Sequence, residues 1–197
     1  MNEVKLTVGN NNISQIQTEP TKELLPIDYI LHSWRNVLSL SPEDDNPGLR
    51  PAQLGALFSI KSHWIVSNEP ATIVMPTGTG KTETMIATVV SEMIDRTLII
   101  VPSNLLRKQT ADKFLTFGIL QDIGVINNNA VKPTVAALLK TPKELTDLQL
   151  ILDKSNIVVT TMSLLQRFSD DYLARLCKRC NTLIVDEAHH IAAETWA

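Results

Sequence analysis

A glycine-rich turn followed by a lysine and a threonine has the residue types and spacing for phosphate chemistry. The segment Pro76–Thr82 reads PTGTGKT and joins the apolar run Ala71–Met75 to a helical pattern that begins at Lys81. Glycines let successive backbone N–H groups point into one concavity, and a helix N-terminus adds free N–H groups and a positive dipole end. Lys81 supplies a charge for β- and γ-phosphates, and the Thr82 hydroxyl is placed to bind Mg²⁺. The segment therefore predicts a phosphate loop, although Met75 stands where the strict pattern has its first glycine.

A pair of carboxylates far along the chain supplies the second chemical group. Asp186 and Glu187 directly follow the apolar run Thr182–Val185. Open α/β sheets bind ligands beyond the carboxyl ends of their strands. Asp186 can hold Mg²⁺, and Glu187 can orient and activate the water that attacks a γ-phosphate. A glycine turn or an acidic turn can each arise without function, but their joint occurrence in this order favours a nucleoside triphosphate site.

The elements that must position these residues follow an alternating pattern. Short apolar runs occur at Ala71–Met75, Thr97–Val101, Ile123–Ile126, Val135–Leu139, Ile157–Thr160 and Thr182–Val185. Helical patterns occur at Arg50–Ser67, Lys81–Ile94, Leu105–Phe117, Glu144–Leu152 and Ser163–Lys178. Apolar strands that alternate with crossover helices predict an α/β fold, a mostly parallel sheet with helices on both faces.

The N-terminal part of the chain has a different character. Its first twenty residues are polar and rich in asparagine, and we interpret them as a poorly ordered arm or an additional strand. An amphipathic helix is predicted between Leu24 and Leu40, and the cluster Ser41–Gly48 is a linker candidate. We therefore expect an N-terminal arm and helix over residues 1–46 and a nucleotide-binding lobe over residues 47–197.

Composition excludes several classes of protein. The chain has 197 residues, of which 44% are hydrophobic and 20% charged, so it is not a disordered chain. It has no apolar run of about 18 residues and no secretory signal pattern, so we expect no membrane association. Its two cysteines favour the reducing cytoplasm. A net charge of −3 argues against a basic coat for nucleic acid, yet allows a local phosphate-binding groove.

Taken in order and spacing, these motifs resemble those of superfamily 2 helicases and translocases of the DEAD/DEAH class. Pro76–Thr82 is similar to motif I, which often lacks the first glycine in that class, and Asp186–His189 is similar to motif II. The additional His190 directly after motif II makes this segment similar to that of restriction-enzyme motor subunits and their relatives. The resemblance implies a RecA-like P-loop NTPase lobe that uses ATP and Mg²⁺. Weaker similarities, to the Arg-x-x-Gln signature and motifs Ia and Ib, lie at Leu49–Gln53, Val101–Gln109 and Val159–Leu164.

The resemblance also assigns roles to single residues. Gln53 would read the adenine edge, and His189 would link the nucleotide site to the nucleic-acid side or to a second lobe. The catalytic residues would be Lys81, Asp186 and Glu187, and the metal ligands Thr82 and Asp186. The nucleotide would contact Gln53, Pro76, Thr77, Gly78, Thr79, Gly80, Lys81 and Thr82.

Contacts to a nucleic-acid backbone are expected where strands end and helices begin. Ser103 and Thr161 are also good N-cap residues, so helix capping is an equal alternative for both. The positions concerned are Pro102, Ser103, Arg107, Thr160, Thr161 and Ser163.

Motors of this class have two RecA-like lobes, and the second supplies an arginine finger. The resemblance implies that the sequence stops before the motif III strand, which would lie between the strand of the phosphate loop and the strand of motif II. We therefore expect an incomplete first lobe with weak ATP binding and negligible turnover. The favoured function is a DNA helicase or translocase lobe, in restriction, defence or repair. An RNA helicase lobe and a non-catalytic binding or regulatory fragment stay open as alternatives.

Overall fold

The computed structural model describes residues 2–8, 11–18, 25–40 and 47–190. Its strands are β1 (Asn2–Val8), β2 (Asn11–Thr18), β3 (Thr97–Val101), β4 (Val135–Leu138), β5 (Ile157–Thr161) and β6 (Thr182–Val185). Its helices are α1 (Ile27–Ser33), α2 (Pro51–Val66), α3 (Lys81–Ser91), α4 (Asn104–Thr116), α5 (Leu145–Lys154), α6 (Met162–Leu165) and α7 (Asp170–Arg179). A short 3₁₀ turn follows β6 at Ala188–His190.

One sheet of six strands organises these elements, in the order β1-β2-β4-β5-β3-β6. The four strands β4, β5, β3 and β6 are parallel to their neighbours, as the alternating pattern predicts. β1 and β2 form an antiparallel pair that extends the sheet at β4. The polar N-terminal segment thus takes the strand alternative of its two interpretations.

The parallel strands β3, β4 and β5 are buried on both faces, which explains their uniform apolarity. On β5, Ile157 and Val159 belong to a core with α1 to α4, while Val158 belongs to a second core with α5, α6 and α7. β3 and β4 alternate in the same way. Successive side chains of a strand point to opposite faces, so the sheet separates two helical layers. The predicted α/β class is confirmed.

The N-terminal helix α1 packs into the first of these cores. Ile30 and Trp34 are buried, and the Trp34 indole Nε1–H donates to the Val131 carbonyl at 2.8 Å. The Trp34 ring also meets Phe117 edge-on, with centroids 6.2 Å apart. This helix is shorter than the segment predicted between residues 24 and 40. The predicted linker overlaps residues 41–46, which lie outside the described residues.

The predicted strand Ala71–Met75 is not a strand. Residues 70–76 have no regular secondary structure, and the side chain of Val74 is 91% exposed. A strand requires a neighbour that pairs with its backbone. Among the described residues no strand pairs with this segment, and β6 pairs with β3 alone. Apolarity therefore predicted the strand without indicating which partner it needed.

The predicted strand Ile123–Ile126 is also wrong. The chain forms turns here, with hydrogen bonds from the Ile123 N–H to the Ile119 carbonyl and from the Val125 N–H to the Leu120 carbonyl. Gly124 has a φ of +71°, which glycine tolerates and an extended strand does not use. The run is apolar because its end is buried in the core, and Ile126 makes only an isolated bridge to Leu38.

The helix predicted over Ser163–Lys178 is two helices. α6 ends at Leu165, and α7 begins after Ser169, which takes the N-cap position in an extended conformation. Asp170 and Asp171 then lie in the first turn of α7 and Lys178 and Arg179 in its last, as the helix dipole favours. Within the described residues, no helix is both long enough and apolar enough to span a membrane.

Candidate nucleotide-binding site

The phosphate loop is a compact turn that leads directly into α3. Gly78 and Gly80 have φ angles of +79° and +91°, in the left-handed region that favours glycine. The Thr79 hydroxyl donates to the Pro76 carbonyl at 2.6 Å, which closes the turn on itself. Gly80 is the N-cap of α3, so the free N–H groups of its first turn lie at the loop. This arrangement suits an anion.

Gln53 ties α2 to this loop. Its side chain is 3% exposed; its Oε1 accepts from the Arg50 N–H at 2.9 Å and its Nε2 donates to the Gly80 carbonyl at 3.3 Å. A Cβ on Gly80 would lie 2.1 Å from Gln53 Nε2. The predicted role of Gln53 in reading adenine stays a prediction; these two bonds use one lone pair of Oε1 and one hydrogen of Nε2, and leave the second of each for another partner.

Lys81 and Glu187 bring the two sequence motifs together. Lys81 Nζ lies 2.5 Å from Glu187 Oε1, across 106 residues of sequence. This hydrogen bond, together with the charges of Glu187 and Asp186, raises the pKa of Lys81 above its ordinary value against the opposing effect of burial. The lysine is therefore a cation at neutral pH, held at the first position of α3 by an acidic partner.

Asp186 lies where β6 ends, next to that ion pair. Its N–H donates to the Ile100 carbonyl at 2.8 Å, which continues the ladder between β6 and β3. Burial raises the pKa of Asp186, the neighbouring Glu187 charge raises it further, and Lys81 opposes both. A poorly solvated carboxylate is one that a divalent cation stabilises. Asp186 and Thr82 carry hard oxygen donors of the kind that Mg²⁺ prefers, and their predicted role as metal ligands stays a prediction.

Glu187 has an unusual backbone for its residue type. Its φ is +53°, in the left-handed region that non-glycine residues rarely adopt. Its Oε1 contacts Lys81, and its Oε2 lies 3.4 Å from Nδ1 of His189. His189 is 67% exposed at its side chain, so it can face a partner as well as the site. Residues with a strained backbone of this kind cluster at active sites and ligand-binding sites.

The residues predicted to hold a nucleic-acid backbone fall into two groups. β3 and β5 are parallel and pair Val101 with Thr161, so the residues that follow both strands lie at one edge of the sheet. Those with exposed side chains are Pro102, Ser103 and Ser163, and those that are buried are Arg107, Thr160 and Thr161. Only the exposed group lies open at this surface.

Capping and packing account for several of these side chains. The Ser103 hydroxyl accepts from the Leu106 N–H at 3.2 Å and so caps α4, whereas the Thr161 hydroxyl lies 3.2 Å from that of Ser163. Arg107 donates from Nη1 to the Leu138 carbonyl at 2.9 Å and joins α4 to the end of β4. Burial lowers the pKa of Arg107. Their contacts to nucleic acid stay predictions.

Two residues near the loop were not assigned from the sequence. Arg50 donates from Nη1 to the Gly78 carbonyl at 3.0 Å. Glu83, in the first turn of α3, is 6% exposed and accepts from Lys113 Nζ at 2.7 Å. The sequence does give one indication for Glu83: it is a charged residue directly after Gly80-Lys81-Thr82, in a helix whose following residues are mostly apolar. Its partner, on α4, could not be read from spacing.

These features define a class: a RecA-type P-loop lobe, in which a parallel sheet carries a glycine loop at one helix and a carboxylate pair at the end of one strand. Residues 46–197 match the family model of the type III restriction enzyme, res subunit. The chain belongs to this family, whose members have a superfamily 2 helicase-like, RecA-type N-terminal lobe. The resemblance inferred from the motifs is thereby confirmed. No curated protein in the comparison matches the chain.

Proposed function

We propose that this chain is the ATP-binding motor lobe of a DNA helicase or translocase. The observation that carries the proposal is the contact between Lys81 and Glu187, which joins the phosphate loop to the acidic pair. In this proposal, the loop residues from Pro76 to Thr82 hold the phosphates and Gln53 adjoins the adenine. Thr82 and Asp186 hold Mg²⁺, which when bound offsets phosphate charge.

Glu187 has the central chemical role in this proposal. In the structure it neutralises Lys81. A phosphate that takes up the lysine charge frees the Glu187 carboxylate to orient a water and to accept its proton. His189 lies beside the second carboxylate oxygen of Glu187. In this proposal it couples the release of Glu187 from Lys81 to the nucleic-acid side.

Weak binding and negligible turnover are part of the same proposal. The segment that precedes the phosphate loop is not held in the sheet, and Ile73 and Val74 before it are exposed. A loop that α2 and α3 hold, but that no strand of the sheet leads into, loses part of the preorganisation on which phosphoryl transfer depends.

DNA is proposed as the track, and the cytoplasm as the compartment. The family description is that of a restriction enzyme subunit, which favours DNA. Cys177 and Cys180 are free thiols, as a reducing compartment favours. We also propose that residues 47–197 are the motor lobe and residues 1–46 an appended arm and helix, since the family match begins at residue 46.

A titration with a fluorescent ATP analogue in Mg²⁺ tests nucleotide binding. Lys81→Ala is expected to weaken binding at least about tenfold, because hydrogen bonds to charged groups contribute about 1.5–3 kcal/mol. Lys61→Ala removes another ion-paired lysine, 2.5 Å from Glu92, and should leave binding unchanged. Equal affinity in the Lys81→Ala variant would contradict the assignment of the loop.

Binding to DNA and RNA duplexes of equal length tests which nucleic acid the lobe binds. Tighter binding to DNA is expected, with little phosphate release from ATP. Tighter binding to RNA would favour an RNA helicase lobe. Absence of both nucleotide and nucleic-acid binding would favour a docking fragment. Strong DNA-stimulated hydrolysis would overturn the proposed inactivity.

A further inference from the structure

We propose that Lys113, in the last turn of α4, sets the affinity of the nucleotide site for phosphate charge. It does so by neutralising the buried carboxylate of Glu83 beside the phosphate loop. Lys113 is thus a positioning residue of the site, on an element that the phosphate-loop motif does not include. The inference rests on the proposed function, since it concerns ATP binding by the same loop.

The first step is the placement of the carboxylate. Glu83 is the third residue of α3, and its side chain is 8% exposed. A carboxylate buried to this extent needs a partner, because transfer of a charge out of water is costly. Lys113 supplies that partner at 2.7 Å, with a side chain that is itself 46% exposed.

The second step is the distance from the carboxylate to the loop. Glu83 Oε2 lies 3.4 Å from the point that a Cβ on Gly80 would occupy. On the other side of the carboxylate, Glu83 Oε1 lies 3.4 Å from the point that a Cβ on Gly118 would occupy. Gly118 belongs to the left-handed turn that ends α4. The Gly118 N–H donates to the Lys113 carbonyl at 2.8 Å and fixes that turn. Glu83 is therefore held between the phosphate loop and the end of α4.

The third step is electrostatic. The positive dipole end and free N–H groups at the N-terminus of α3 attract anions. The Glu83 carboxylate offsets part of this positive potential, so less of it acts on a phosphate. Like charges repel one another, and salt screens buried charges weakly. The Lys113 ammonium cancels the Glu83 charge, so that the loop can accept the charge of a polyphosphate. Because ATP carries one more negative charge than ADP, its binding depends more on Lys113.

A second ion pair in the same layer provides a matched control. Lys61 of α2 lies 2.5 Å from Glu92, the C-cap of α3, and donates to the Ser91 hydroxyl at 2.7 Å. This pair joins a neighbouring helix to α3, as the Lys113 pair does, but at the end of α3 away from the loop. Its loss removes a lysine and an ion pair without changing the charge beside the phosphates.

The experiment compares Lys113→Met with Lys61→Met, since methionine keeps much of the apolar stem and removes the charge. Fluorescent analogues of ATP and ADP are titrated in Mg²⁺ at low salt. Lys113→Met should raise the dissociation constant for ATP about tenfold and that for ADP less. Lys61→Met should change neither. Adding Glu83→Gln to Lys113→Met should restore ATP affinity to within about twofold of the unchanged protein.

Several outcomes would overturn the inference. Unchanged ATP affinity in Lys113→Met would do so, as would equal losses for ATP and ADP that Glu83→Gln does not restore, because these indicate structural damage. If Lys113→Met does not fold, Glu83→Gln alone decides: it should keep or tighten ATP binding, and a tenfold loss contradicts the inference. A different result would overturn the proposed function, and this inference with it: the unchanged protein does not bind ATP, or it binds ATP no more tightly than the Lys81→Ala variant does.

Discussion

At the scale of single residues, the site is a balance of five charged side chains on α3, α4 and the end of β6. Lys81 is paired with Glu187, and Asp186 lies beside them with a raised pKa. Glu83 and Lys113 form a second pair behind the loop. Nucleotide and Mg²⁺ would enter a site whose two lysines are already paired with carboxylates. In the proposed function, binding is an exchange of partners, in which phosphate competes with Glu187 for Lys81.

The raised pKa of Asp186 predicts a conflict between stability and metal binding. The folded state favours the protonated carboxyl, so its contribution to stability is present at low pH and is lost as pH rises through the folded pKa. At neutral pH, Asp186→Asn should therefore raise the melting temperature, and this gain should shrink as the pH is lowered towards 4. The same variant should lose Mg²⁺-dependent ATP binding.

Thermal unfolding at several pH values, without Mg²⁺, checks this prediction. Glu69→Asn, in the exposed connection after α2, is the control for loss of a carboxylate away from the site. A lower melting temperature for Asp186→Asn at pH 7 would mean that the carboxylate stabilises the metal-free protein, which contradicts the stated cause.

At the scale of elements, the phosphate loop is held by α2 as much as by α3. Arg50 and Gln53 each contact a carbonyl of the loop, at Gly78 and Gly80. The glycines are required for two separate reasons: their positive φ angles, and, at Gly80, the lack of space beside Gln53. The Arg-x-x-Gln signature is thus also a structural support for the turn.

Two glycine substitutions distinguish this requirement from general helix propensity. Gly80→Ala should weaken ATP binding more than tenfold and lower stability, because a Cβ would meet Gln53 and φ is +91°. Gly55→Ala, within α2, should raise stability by about 0.5–1 kcal/mol, since nothing lies within 4 Å of its Cβ position. Urea unfolding and nucleotide titration measure both. Full ATP binding by Gly80→Ala would contradict the close packing of the loop.

The sequence predicted the elements whose signal is local and not those that depend on distant partners. Gly78, Gly80 and Lys81 could be assigned because turn geometry and helix start are encoded within a few residues. The burial of Arg107 on α4 could not, because its acceptor, the Leu138 carbonyl, belongs to the strand β4. The segment Ala71–Met75 has strand composition but no paired neighbour in the described chain. The pair of Glu83 and Lys113 was missed for the same reason, since it joins two helices.

At the scale of the whole molecule, the two edges of the sheet differ. β1 and β2 cover the edge at β4, whereas β6 pairs on one side only within the described residues. β5 is fully buried, while Leu183 of β6 is 58% exposed. Stability should therefore fall from the centre of the sheet towards the phosphate loop and the acidic pair.

Hydrogen exchange followed by mass spectrometry tests this gradient. Peptides from β3 and β5 should exchange slowest, and peptides from β6 and residues 70–76 should exchange at least tenfold faster, because locally open segments exchange at lower free energy. ATP with Mg²⁺ should slow exchange at residues 76–82 and leave β5 unchanged. Equal protection of β6 and β5 would contradict the expected asymmetry.

The left-handed backbone at Glu187 has an evolutionary consequence. A glycine there would relieve backbone strain of about 1 kcal/mol or more, so the substitution that best suits the fold is one that removes the carboxylate. Under the proposed function, selection for stability and selection for chemistry therefore act in opposite directions at this position. A lineage that no longer needed hydrolysis would be free to drift towards glycine or asparagine here.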